Sequence, residues 1–176
     1  MKIYLARHGE TDWNLKRTVQ GRTDVPLNET GLQQAEELRK TLEKIEFDVC
    51  YASPLVRARE TAEIAVNGRV QIILDSDIVE RGFGELEGTY ILNWKKYWDL
   101  TTNCGVFDVE PVRELLQRAE RFLTKLKETY PNDAKILVVS HGGISRAMHF
   151  AIKGYDETTD FSDFYLKNGD VIEEEV

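Results

Sequence analysis

The chain has little of several residues that usually announce a function. Only two of its 176 residues are cysteine, Cys50 and Cys104, and they follow no metal-ligand spacing. That excludes a disulfide framework and fits a reducing compartment. Cys50, inside an apolar run, reads as core. Positive charge is also short: 23 Lys and Arg against 31 Asp and Glu leave a formal net charge of −8. Such a body argues against nucleic acid or an anionic membrane surface as a general partner. No apolar run is long enough to span a membrane, and the start, one lysine and then a short strand, lacks the pattern of a signal peptide. Repeats, linkers and low-complexity stretches are missing too. The expectation is a single cytoplasmic domain over residues 1–176 that meets an anionic ligand only through a local cationic pocket.

Histidine is equally scarce, three in the chain, yet two of them follow apolar runs and precede glycine. Lys2–Ala6 reads as a buried strand running into Arg7-His8-Gly9-Glu10-Thr11, and Ile136–Ser140 as another running into His141-Gly142-Gly143. The pairing predicts one site at the carboxyl ends of adjacent parallel strands, where open α/β sheets bind ligands.

The rest of the chain alternates strands with helices. Residues 9–26 form a polar loop holding Trp13, Asn14, Gln20 and Arg22, long enough to be functional. Thr30-Gly31 opens a helix with Leu32, Ala35, Leu38, Leu42 and Ile45 on one stripe. Phe47–Ala52 is a second strand. Ser53 as N-cap and Pro54 at the first helical position start the next helix, which carries Arg57, Arg59 and Thr61 and ends at Gly68. Val70–Leu74 is a third strand. Between Asp75 and Pro111 the pattern loosens into a glycine-punctuated acidic stretch, Glu80–Gly88, and an aromatic stretch, Tyr90–Leu100, read as a short helix. Val112–Tyr130 is a long amphipathic helix, and Ile144–Ile152 another. Phe164–Leu166 and Val171-Ile172 flank Asn168-Gly169, a hairpin signal. The fold class is α/β, a mostly parallel sheet covered on both faces with an antiparallel edge at the C-terminus.

A phosphoryl group needs cations, donors and a nucleophile converging on one point. Arg7 and His8 share a strand end, Arg57 lies one turn into the helix after the second strand, and His141 ends the fourth. Backbone N–H groups at Gly142-Gly143, opening a helix, suit an anion, and arginine adds a rigid fork for phosphate oxygens. A neutral imidazole offers a lone pair without a further base, and neighbouring arginines disfavour a second positive charge on it. Glu80 is the candidate acid for the leaving oxygen; a phosphate dianion beside it favours its protonated form. His149, within an apolar helix, reads as structural or surface, and Arg59 as a surface ion-pair residue.

Leu5-Ala6-Arg7-His8-Gly9-Glu10-Thr11 with Asn14 resembles the signature of the histidine phosphatase superfamily, which includes the cofactor-dependent phosphoglycerate mutases. The resemblance continues through Gln20–Gly31, Ser53–Ala62, Glu80–Gly88 and Val138–Gly143. It implies a three-layer α/β/α sandwich of phosphoglycerate mutase-like type, in which His8 is phosphorylated. Arg7, Arg57 and His141 would bind the phosphoryl group, and Asn14, Gln20, Gly21 and Gly142 would line the substrate site. Glu80 would protonate the leaving group and then activate water. Glu10 and Glu87 match the pattern as braces. After Gly88 the sequence departs from the mutases: the segment is short, offers Lys95-Lys96, and has no arginine pair before Pro111. That favours hydrolysis of small phosphate monoesters over mutase chemistry, with a non-catalytic phospho-ligand binder as the third reading. The partner implied is a small phosphorylated metabolite, with no nucleic acid, no membrane, no metal and no cofactor. Tyr90, Trp94, Tyr97 and Trp98 read either as core or subunit contact, which leaves a homodimer open, or as a small cap segment over 89–110.

Overall fold

The computed structural model describes residues 1–92, 95–100 and 108–176. Five strands form one sheet: β1 (Lys2–Arg7), β2 (Val49–Ala52), β3 (Ile72–Leu74), β4 (Lys135–Ser140) and β5 (Val171–Glu175), in the order β3-β2-β4-β1-β5. The first four run parallel and β5 pairs antiparallel with β1. The helices are α1 (Asp12–Leu15), α2 (Glu29–Thr41), α3 (Val56–Val66), α4 (Val112–Thr129) and α5 (Gly142–Lys153).

Strand side chains alternate between faces, and both faces are covered. Ile3, Leu5, Val49, Tyr51, Ile136 and Val138 pack with Leu115, Phe122, Ile144 and Met148 of α4 and α5. Tyr4, Ala6, Cys50, Ala52, Leu137 and Val139 pack with Leu38 of α2, Leu42 just beyond its end, and Ala62 and Ala65 of α3. A strand buried on two faces needs apolar residues at every position, which is why β1 and β4 read as continuous runs. The expected three-layer sandwich is the observed one.

Four local expectations are corrected. Leu32 is 44% exposed. The buried stripe of α2 is Gly31, Ala35 and Leu38, continuing into Leu42, because a Cβ at position 31 would collide with the backbone oxygen of Glu10 and only glycine lets the helix approach that loop. Ser53 does not cap α3. That helix starts at Val56 after Leu55, and its first amide is capped by a remote carboxylate, Val56 N–H donating to Asp24 Oδ1 at 2.8 Å. Of the helix expected over 90–100, the described residues show one 3-10 turn, Lys95–Tyr97; Trp94 and Cys104 lie outside the described residues. Finally, Phe164–Leu166 is not a strand. Asn168-Gly169 is a turn, but β5 ladders onto β1, Ile172 opposite Leu5, and the preceding stretch gives its carbonyls to arginine side chains.

Candidate active site

Parallel pairing brings the strand ends level. Arg7 is registered with Ser140, and Ala52 with Val139. One step further, His8 N–H donates to Ser140 O at 3.0 Å and Ser53 N–H to Val139 O at 3.1 Å. Three strands thus deliver His8, His141 and Ser53 to one edge. Alternation separates the neighbours: Arg7 lies beside Gly142 of α5, while His8 lies beside Arg57 of α3.

His8 is buried, and its two ring nitrogens have different partners. Nδ1 is 2.7 Å from Gly9 O, and Nε2 is 3.3 Å from Arg57 Nε. A carbonyl accepts and a guanidinium donates, so the network assigns the proton to Nδ1 and a lone pair to Nε2. Burial, then Arg57, then Arg7 hold the imidazole well below its ordinary pKa, against the opposing pull of Gly9 O. The ring is neutral at neutral pH. The remaining Arg57 nitrogens donate to Thr23 O at 2.9 Å and Gly21 O at 2.8 Å, tying the polar loop to α3.

His141 meets the His8 ring edge-on, centroids 5.0 Å apart. Its Nε2 is 2.7 Å from Ser53 Oγ, which accepts from Leu55 N–H at 3.3 Å. Burial, with Arg57, His8 and Arg7 behind it, pushes this imidazole also well below its usual value. Two buried nitrogens at this edge, Arg7 Nε and His141 Nδ1, have no hydrogen-bond partner among the described residues. Buried donors without partners are rare and ask for a ligand or water.

Glu80 sits across the strand ends. Its Oε2 accepts from Gly143 N–H at 3.0 Å, and its Oε1 from Ile144 N–H at 3.2 Å and Arg81 N–H at 2.8 Å. Of the two amides expected to hold a phosphate, that of Gly143 therefore holds the carboxylate instead, together with Ile144, while Gly142 lines the cleft. A Cβ on Gly143 would strike Glu80 Oε1, so that glycine is what admits the acid. The Glu80 backbone carbonyl is gripped by Arg22 Nε at 3.3 Å and Arg118 Nη2 at 3.4 Å. Glu110 links both arginines, at 3.2 Å and 2.7 Å.

Arg7, His8, Asn14, Gln20, Gly21, Arg57, Glu80 and Gly142 all line one cleft of about 620 Å³, the size range of small-ligand sites. His141 does not line it; fully buried, it backs the His8 ring. Asn14 Oδ1 accepts from Thr11 N–H at 3.1 Å and Asn168 Nδ2 at 3.3 Å, which leaves its amide nitrogen as the donor to offer. Gln20 is fixed through Thr11 Oγ at 2.8 Å. Glu10 and Glu87 brace, as expected: Glu10 accepts from Asn28 Nδ2, and Glu87 from the Arg22, Thr23 and Phe83 amides. Arg59 pairs with Glu63 on the surface, and His149 bonds Glu174 and stacks on Phe164.

Sequence reasoning missed a strap. Arg7 Nη1 donates to Leu166 O at 2.8 Å and Arg146 Nε to Phe164 O at 2.8 Å. Asn168 Nδ2 donates to His8 O at 3.0 Å and Gly9 O at 3.3 Å, and Gly169 N–H to Arg7 O at 3.1 Å. The turn signal was visible at Asn168-Gly169; its partner was not. Arg146, also missed, lines the cleft with Phe83, Tyr90, Leu92, Trp98 and Tyr165. The one local sign was a charge inside the apolar run from Ile144 to Ile152.

A family model described as histidine phosphatase superfamily (branch 1) matches residues 3–175. The Bacillus subtilis (strain 168) protein named uncharacterized phosphatase PhoE is 39% identical over 158 residues, 88% of this chain and 78% of that one. Phosphoglycerate mutase-like protein 4 of Arabidopsis thaliana is 33% identical, over 84% of this chain and 69% of its own. Among solved structures, Bacillus stearothermophilus YhfR superposes with a TM-score of 0.86 at 31% identity, covering 99% of this chain and 91% of that one.

Proposed function

The chain belongs to branch 1 of the histidine phosphatase superfamily, and on that premise we propose that it hydrolyses small phosphate monoesters through a phosphorylated His8. The observation that carries the reading is the neutral His8, its Nε2 lone pair facing Arg57 Nε at 3.3 Å, in a site where two further buried nitrogens, Arg7 Nε and His141 Nδ1, lack partners among the described residues. Assigning the Ser53 hydroxyl as donor to His141 Nε2 puts the His141 proton on Nδ1, which has no partner among the described residues and would serve a phosphoryl oxygen.

In the first step Nε2 attacks phosphorus, the P–O bond to the alcohol breaks, and Glu80 gives its proton to the departing oxygen. In the second, water attacks the phosphoramidate phosphorus, Glu80 takes the water proton, and the P–N bond breaks to free phosphate and neutral His8. Arg7, Arg57 and His141 meet the charge that spreads over the phosphoryl oxygens in both steps; such preorganised donors contribute most of the acceleration. Asn14, Gln20, Gly21 and Gly142 line the substrate.

The sequence relative named mutase-like keeps a phosphoryl shuttle in view, but the short segment after Gly88 carries no arginine pair before Pro111. Supplying 2,3-bisphosphoglycerate with 3-phosphoglycerate separates the two: formation of the 2-isomer ahead of free phosphate selects the mutase. The direct test of the nucleophile is a rapid quench at alkaline pH with labelled substrate. Label is expected on His8, and His8→Ala should lower kcat on the order of 10³-fold or more. Turnover that survives His8→Ala sinks the mechanism.

A further inference from the structure

Arg146 occupies the second turn of α5, four residues beyond Gly142, and the hydrolysis above makes no use of it. It lines the cleft yet is only 9% exposed. Burial drops its guanidinium to about 10, with Glu80 pulling the other way. Two contacts fix its plane. Its Cζ lies 4.1 Å from the Trp98 ring centroid, and its Nε donates to Phe164 O at 2.8 Å. That leaves the two Nη nitrogens as the donors it offers to the cleft.

No carboxylate of a described residue forms an ion pair with it, whereas the other cations along the cleft are differently placed. Lys95 is neutralised by Asp160 at 2.6 Å. The Arg57 nitrogens go to His8, Thr23 O and Gly21 O. Arg17 is exposed, so water serves it. A desolvated charge with no carboxylate in contact is costly, and an incoming anion would offset that cost.

We propose that Arg146 is a specificity-determining residue that reads a carboxylate on the substrate, so that the preferred esters are phosphorylated carboxylic acids. This rests on the phosphatase reading and names its substrate class. One guanidinium balances one negative charge, and two coplanar Nη donors match two carboxylate oxygens. A second phosphate dianion would be under-neutralised by this single group in a body of net charge −8.

The test compares matched esters. Phosphooxy-acetate, -propionate and -butyrate are run against ethyl, propyl and butyl phosphate, and kcat/KM is expressed as the ratio of acid to alkyl ester. At one chain length or more the wild-type ratio is expected to be about tenfold or greater. Arg146→Gln should bring that ratio to near one, and Arg146→Lys should keep part of it. A wild-type ratio near one throughout overturns the proposal without any variant. So does a ratio that survives Arg146→Gln, or one that collapses with Arg17→Gln instead. Failure of the phosphatase reading looks different, since no ester of either series is then turned over. The ratio is in that case read from calorimetric affinities: equal binding of both series overturns the role of Arg146, and tighter binding of the acids that is lost in Arg146→Gln supports it.

Discussion

The floor and the wall of the cleft are built on different terms. The floor consists of His8 at the end of β1, backed by His141 at the end of β4, with Glu80 across them, each fixed by its partners: His8 by Gly9 and Arg57, His141 by Ser53, Glu80 by Arg81 and the α5 amides. The wall consists of Tyr90, Leu92 and Tyr165, exposed by 57%, 88% and 65%, with Arg146 behind them. Large apolar residues left in solvent beside a rigid ionic floor gain nothing for folding. On the proposed mechanism they are the part of the molecule free to vary with the ester, while the floor is tied to phosphoryl chemistry.

The sharpest way to break that contrast is to alter the floor at the acid. Glu80→Gln should slow alkyl phosphates by about 10²–10⁴-fold, the ordinary share of a general acid. The loss should shrink for p-nitrophenyl phosphate, whose leaving oxygen needs no proton. A uniform loss across leaving groups would move the acid role off Glu80.

Next in size is the cost of keeping two imidazoles neutral. Both titrate well below their usual value in the fold, so below about pH 6.5 the unfolded chain takes up protons that the folded one refuses. Stability should therefore fall as pH drops, by about 1.4 kcal/mol per pH unit for each ring. Urea midpoints at pH 6 and pH 5 measure it, and His8→Gln should remove one ring's share of the slope. A slope indifferent to that change would mean that His8 is protonated in the fold.

Asn168 extends the floor from a distance. Its side chain holds the carbonyls of His8 and Gly9, and Gly9 O orients the His8 ring. Asn168→Ala should lower kcat about tenfold with KM nearly unchanged, because it loosens the nucleophile rather than the substrate. A rise in KM alone would assign Asn168 to binding. The smallest effect belongs to the wall. Leu92→Ser should leave stability within about 0.5 kcal/mol and alter selectivity among esters; a larger loss of stability would make Leu92 part of the core.

Much of the floor was legible because its signals are local. Arg7-His8 and His141 sit at the ends of runs whose burial on both faces demands unbroken apolar sequence, so strand, strand end and residue type coincide. Ser53 was misread because Ser-Pro is the same pair whether the serine caps a helix or turns to a histidine 88 residues later. Asn168-Gly169 was misread for a like reason: the turn forms either way, and only the packing of β5 on β1 sends its amide to His8 rather than across a hairpin. The Gly143 amide looked free for phosphate because the sequence does not show that Glu80 reaches it.

The sequence by itself determined the layered α/β fold, the two histidine-bearing strand ends and the arginines beside them. Each of these follows from a run of neighbours and its period. Only the tertiary structure decided which donors of the described residues remained unpartnered, that Glu80 occupies the head of α5, and that Arg146 is buried beside the cleft with no ion-pair partner among the described residues. Those are balances struck between groups far apart in the chain, and hydrogen bonding and desolvation act only once the chain has brought such groups together.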